Sequence, residues 1–225
     1  MFNNSNKRNL SIRYVIFMIG VILVAFGIAL FVKTNLGLAP VSSVPYVLTF
    51  IFPFSLGTIT FITNMIMLTG QVILLKGDFP KIQYLQIVMV LIFGMAIDAF
   101  TVLLNQIEIN SYLFKIAILL IGCAVQATGI SLEVMADVLV LPGEGLVKTL
   151  SKVFNKEFGK VKTLFDIFMV IISIVISLIC LGKIVGLREG SFIAAFTIGM
   201  MSKLIKKKLE LLFEPLLTDR NSIKM

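Results

Sequence analysis

The sequence predicts an all-α, polytopic membrane protein of about six transmembrane helices, built as two inverted three-helix repeats. Each repeat carries a proline-led amphipathic or re-entrant segment. Three observations predict this: the composition, the length of the apolar runs, and an internal repeat with an odd number of crossings per copy.

The chain has 225 residues, of which 58% are hydrophobic and 14% charged, and a mean hydropathy of +1.04. A soluble domain is about a quarter charged and could not hide so much apolar surface. Inside a bilayer every backbone amide must find a partner within the protein, so only helices or a closed barrel can span it. The apolar runs here are longer than barrel strands and lack strict alternation, which selects helices.

The net charge of +8 points to anionic lipid headgroups as the partner. Nucleic acid is not expected, because no soluble domain carries a basic groove. Histidine is absent, and the two cysteines, Cys123 and Cys180, lie inside apolar runs. Zinc, haem and Cys/His or Ser/His nucleophile chemistry therefore lack their parts. No Gly-x-Ser-x-Gly elbow or Gly-x-x-x-x-Gly-Lys-Ser/Thr loop occurs either, so neither an enzyme nor a cofactor is expected.

A bilayer core of about 30 Å needs about 20 helical residues. Crossings are expected at 14–32, 57–75, 84–104, 113–132 and 161–181. A sixth, shorter run at 191–205 contains Lys203, whose long stem can reach the interface. Lys7, Arg8 and Arg13 before the first run imitate a signal peptide, but the first run is long enough to span and no pair of small residues marks a cut, so it is expected to stay. With six crossings and the N-terminus inside, 16 of the 20 lysines and arginines fall on the cytoplasmic side, and only Lys33, Lys115, Lys183 and Arg188 fall outside. The positive-inside rule thus places both termini in the cytoplasm of a cell membrane. The expected layout is a basic N-terminus at 1–13, one membrane domain at 14–208 and a cytoplasmic tail at 209–225.

Residues 15–75 align without gaps onto 117–177 at a constant offset of 102, with 13 identities. Gly20 falls on Gly122, Gly27 on Gly129, Pro40 on Pro142 and Gly57 on Gly159, while Asn35 meets Asp137 and Asn64 meets Asp166. The repeats cover about 14–104 and 113–208. Three crossings per copy invert the second copy relative to the first, as in many secondary transporters. After Pro142, residues Leu146, Val147, Leu150, Val153 and Phe154 share one face and Lys148, Lys152 and Lys156 the other, the pattern of an interfacial helix. Its counterpart at 41–52 is more apolar, and is interfacial or re-entrant.

Gly20, the Gly27-Ile28-Ala29-Leu30 stretch, Leu36-Gly37-Leu38-Ala39-Pro40, Gly57 and Gly94-x-x-x-Asp98 together resemble the YczE/YitT-like multi-pass membrane proteins of bacteria. The similarity covers nearly all of residues 13–208. Relatives often carry an aromatic and an acidic residue after the loop proline, where this chain has Val41 and Ser42. The resemblance implies membrane location and fold rather than an activity.

Asp98 lies inside the third crossing, where an ionised carboxylate costs about 2.5–3.5 kcal/mol. It reads as a proton or cation site, or as a packing residue beside Gly94. Its face, with Leu91, Gly94, Met95 and Thr101, is expected to point into the bundle. Asn64 and Asp166 read first as residues of solvated helix ends and otherwise as a pair flanking a central cavity, with Gln126 hydrogen-bonded between helices or facing the same pathway. Glu133 and Asp137 cluster at the cytoplasmic mouth, where pairing with lysines is the plainer role. Gly20, Gly27, Gly122 and Gly129 are expected at the interface between repeats. The resulting functional expectation is a small secondary transporter, with an accessory or scaffold protein as the alternative.

Overall fold

The computed structural model describes residues 10–217. Lys7 and Arg8 of the expected basic N-terminus, and the expected tail beyond 217, lie outside the described residues. Within them the chain forms eight α-helices: α1 (Leu10–Thr34), α2 (Pro40–Leu48), α3 (Leu56–Leu75), α4 (Gln86–Asn105), α5 (Tyr112–Ala136), α6 (Pro142–Val153), α7 (Phe158–Leu181) and α8 (Glu189–Leu217). Two short 3-10 turns join α3 to α4. The protein is all-helical and polytopic, as its sequence predicts.

Among the described residues five stretches, containing α1, α3, α4, α5 and α7, are long and apolar enough to cross a membrane. The sixth expected crossing, α8, falls short of that composition because Lys203, Lys206, Lys207 and Lys208 enter its second half. It is also longer than expected and takes in residues 209–217 of the expected tail. Its outer face still carries Phe192, Phe196, Met200 and Leu204 at four-residue spacing, all exposed. A stripe of that kind marks a surface that contacts lipid or another protein.

Local chemistry explains how each half-length helix begins. Helices α1 and α5 end at Asn35 (φ 54°) and Asp137 (φ 47°), residue types that tolerate the left-handed conformation because a short polar side chain supports it locally. Ala39 and Leu141 are extended, and Pro40 and Pro142 open α2 and α6. Proline suits a first helical turn because its missing N–H would have had no partner there. Helix α2 buries Ser43 to Val47, so it lies inside the protein rather than along the interface.

The helices pack in two rows. One runs α4, α1, α5, α8; the other holds α2, α3, α6 and α7, and α3 also packs on α4. Phe17, Val21, Phe31, Ile97, Leu119 and Cys123 belong to the core of the first row. Val44, Met67, Val147, Phe165 and Met169 form that of the second. Lipid is as apolar as leucine, so contact between rows and helices must come from close packing and hydrogen bonds.

The closest packing is between α1 and α5. A Cβ at Gly129 would lie 2.7 Å from Gly20 O, and one at Gly27 would lie 3.1 Å from Gly122 O. Pairing 20 with 129 and 27 with 122 means that the two helices run antiparallel. Arg13 Nη1 closes one end of the crossing by donating to Ala136 O at 3.0 Å, one of the carbonyls that a helix C-terminus leaves free.

Gly129→Ala should therefore force the two backbones apart and cost about 1–3 kcal/mol, the usual penalty of overpacking. Gly199→Ala should be nearly silent, since a Cβ there meets nothing within 4 Å. Thermal unfolding in detergent, followed by reaction of the buried thiol of Cys123 with a maleimide dye, should separate the two variants clearly. Equal midpoints would contradict this view of the crossing.

Candidate functional site

Between the two rows lies a cavity of about 840 Å³, within the size range of small-molecule sites. Its lining includes the buried residues Ile28, Asn64, Phe93 and Gln126. It opens toward the end that carries the start of α7, where lining residues Lys148, Phe158, Thr163, Gly199 and Lys203 are exposed. The starts of α2 and α6 meet beside it: a Cβ at Gly143 would be 3.3 Å from Val41 Cγ1.

At the opposite end the rows are shut. A Cβ at Gly94 would lie 2.7 Å from Gly57 O, so backbone rests on backbone there. Asp98 fastens this contact. Its Oδ1 accepts the Gly57 N–H at 2.7 Å and its Oδ2 accepts Ser55 Oγ–H at 2.6 Å, while Ser55 caps α3 by accepting Thr58 N–H at 3.1 Å. A carboxylate placed at a helix N-terminus satisfies free amides and opposes the positive end of the dipole. Asp98 is thus an N-terminal cap supplied by a neighbouring helix, and it is absent from the cavity wall. Its helical face is also offset from expectation. Leu91 and Met95 are 50% and 65% exposed, whereas Val90, Phe93 and Ile97 are buried.

The other polar candidates come together. Asn64, Gln126, Glu133, Asp137 and Asp166 all line the cavity, although they derive from three helices. Asn64 donates Nδ2 to Thr60 O at 2.8 Å. Asp166 pairs with Lys162 at 3.0 Å, one turn away on α7. Asp137 is exposed at the mouth, where it also terminates α5.

Glu133 differs from its expected place. It is 7% exposed, and its stem lies on the backbone of α1, since a Cβ at Gly20 would come within 2.8 Å of Glu133 Cγ. None of the three ion pairs among the described residues includes it. Its Oε1, like that of Gln126, is buried without a hydrogen-bond partner. Gln126 therefore does not tie its carbonyl to another helix.

Sequence reasoning missed a buried amide chain behind the cavity. Gln71 Nε2 donates to Pro142 O at 3.1 Å and to Gln86 Oε1 at 3.4 Å, and Gln86 Nε2 donates to Gln83 Oε1 at 2.6 Å. The chain ties α3 to the start of α6 and to the α3–α4 connection. Gly145 is what admits it, because a Cβ there would lie 2.7 Å from Gln71 Oε1. Three glutamines within 16 residues of an apolar region were the available signal.

Fold and site together define a polytopic helical membrane protein with a largely apolar cavity into which several polar side chains are set. The chain belongs to a family of unknown function, DUF6198, which matches residues 11–207. Comparisons with curated proteins and with solved structures find no match.

Asp98→Ala should leave the Gly57 N–H unsatisfied and lower stability by about 1–3 kcal/mol. Asp98→Asn retains an acceptor for that amide and should lose less than half as much. Chemical or thermal denaturation of the two purified variants in one detergent measures the difference; an alanine variant as stable as wild type would remove the capping role.

Proposed function

We propose that the protein is a small secondary transporter that works by alternating access between two inverted repeats. The repeats correspond as α1 with α5, α2 with α6, α3 with α7 and α4 with α8. Under this exchange the packed pairs α1·α4 and α5·α8 interchange, as do α2·α7 with α3·α6 and α2·α3 with α6·α7. Individual contacts follow. Gly20 against Gly129 becomes Gly122 against Gly27, and the Ser43–Ser173 hydrogen bond of 2.6 Å falls where Gly145 meets Gln71.

One packed pair breaks the exchange, and it carries the functional reading. Helix α3 packs on α4 through Gly57 and Gly94, but α7 and α8 have no comparable packing, and a Cβ at their counterpart Gly199 would touch nothing. Two equivalent gates in opposite states, with a cavity carrying polar side chains between them, are what a transporter halted facing one side presents. The alternative of an accessory or scaffold protein favours a closed, apolar interface between repeats. Charged residues spread through this cavity weigh against it.

The distribution of lysine and arginine supports a cytoplasmic open end and cytoplasmic termini. Lys148, Lys152, Lys156 and Lys160 at that end suit anionic headgroups of a bacterial-type cell membrane. The likeness to YczE/YitT-like proteins supports the membrane setting and adds no substrate. In this reading no covalent chemistry takes place, and the molecule is not an enzyme.

The opposite state should bring Gly159 against Gly199 and part Gly57 from Gly94. With Cys123 and Cys180 replaced by alanine, cysteines at 159 and 199 should form a disulfide in membranes, since bridging needs Cα atoms within about 7 Å. Once bridged, a cysteine at Leu56, a residue now buried in the shut end, should become reactive to an impermeant thiol reagent from outside. Failure of the bridge to form, or a bridge that leaves Leu56→Cys unreactive, would overturn alternating access.

A further inference from the structure

The cavity's unpartnered groups are of one kind. Gln126 Oε1 and Glu133 Oε1 are both hydrogen-bond acceptors, both belong to residues more than nine-tenths buried, and both have no partner. They are seven residues apart on α5, hence on one face and about 10.5 Å apart along the axis. At an offset of 102 the matching residues of α1 are Val24 and Phe31, both buried and apolar. Packing alone is served by apolar side chains at these two places, so the polar pair answers a different requirement.

Charge narrows the ligand. Lys148, Lys162 and Lys203 in the wall offset Asp137, Glu144 and Asp166, which leaves Glu133 as the one acidic charge in excess. From α1, Arg13 is the charged group nearest in sequence register; its Nη1 donates to Ala136 O and its Nε is buried without a partner, but it forms no ion pair with Glu133. From α6, Glu144 faces Glu133 as a like charge. From α8 the facing group is Lys203, exposed at the mouth. A buried carboxylate without a counter-charge is strongly disfavoured, so a proton or a cation must neutralise it. Around it Ile28, Phe93, Ile130 and Ile198 provide apolar walls.

We infer that the cavity binds a small organic ammonium ion with an apolar body, its N–H groups donating to Glu133 while the body runs along α5 past Gln126, and that it displaces a proton from Glu133 as it binds. The proton leaves the carboxyl for bulk water, the ammonium takes its place as counter-charge, and no bond of the ligand changes. One carboxylate held alternately by a proton and by a cation makes the two compete, which is the requirement of proton/cation antiport. The inference rests on reading the cavity as a transport site. Its test measures binding alone, so its failure leaves the cross-linking result for the gates untouched.

Purified full-length protein in detergent is titrated with phenethylammonium, and with 2-phenylethanol as the uncharged analogue, in two buffers of different ionisation enthalpy. Calorimetry then reports affinity and protons released together. Phenethylammonium should bind with release of up to about one proton per ion, and the alcohol at least about tenfold more weakly. Glu133→Gln should lose about tenfold or more in affinity and all the proton release while keeping its thermal midpoint. Gln126→Leu should change the affinity less than Glu133→Gln does and should still release the proton. Absence of phenethylammonium binding up to about 10 mM, or unchanged affinity in Glu133→Gln, overturns the assignment. So does equal destabilisation of the ligand-free protein by Glu133→Gln and Arg13→Gln, because that marks an internal ion pair rather than a ligand site.

Discussion

Everything in this molecule is arranged around the antiparallel crossing of α1 and α5, where glycine faces glycine and two backbones touch. A bilayer offers no hydrophobic reward for bringing helices together, so an approach this close is held by dispersion over a large, smooth area. Four glycines supply it. Once α1 and α5 are fixed, α4 and α8 extend the row on either side, and the second row is hung from it by α3. Helix α1 is apolar on every face because protein surrounds it on most sides, as expected of a buried helix.

The second row consists of two full helices and two half helices, tied internally by hydroxyl and amide bonds. Its attachment to the first row is concentrated at one end, in the Gly57–Gly94 contact and the Asp98 cap. A rigid layer fastened at one edge is the geometry of rocking motion. The cavity is the space left at the free edge, and its polar residues come from both rows. In the proposed alternating access, motion between rows would change what surrounds Glu133, and a group without an internal counter-charge is the one whose energy responds most to such a change.

Much of the fold was legible because a membrane imposes length. Apolar runs of about 20 residues fix helices to within a few residues, Asn35-to-Pro40 and Asp137-to-Pro142 mark the breaks, and glycine pairs repeated at an offset of 102 mark the crossing. The site was less legible, since its meaning depends on depth and partners. Asp98 reads as an intramembrane acid in one dimension, but only the approach of α3 makes it a cap. Glu133 reads as a mouth residue because its carboxylate neighbour Asp137 is one; that Gly20 opens a place for it against α1 cannot be inferred without knowing that these helices touch. The end of α8 escaped for a simpler reason, because lysine-rich sequence looks like a tail whether or not it is helical. Gln71, Gln83 and Gln86 were missed because no pattern of spacing links residues on either side of a turn.

The central claim is that the two ends of the molecule open in opposition, and distances between spin labels test it most directly. One pair, at Thr58 on α3 and Val102 on α4, reports the shut end; a second, at Leu164 on α7 and Leu204 on α8, reports the open end. All four positions are exposed, so labels should not disturb packing. In lipid nanodiscs each pair should show two distances, and any change of pH or ligand that shortens the α7–α8 distance should lengthen the α3–α4 distance in the same proportion of molecules. A single fixed distance at both ends, or two ends that widen together, would contradict the account.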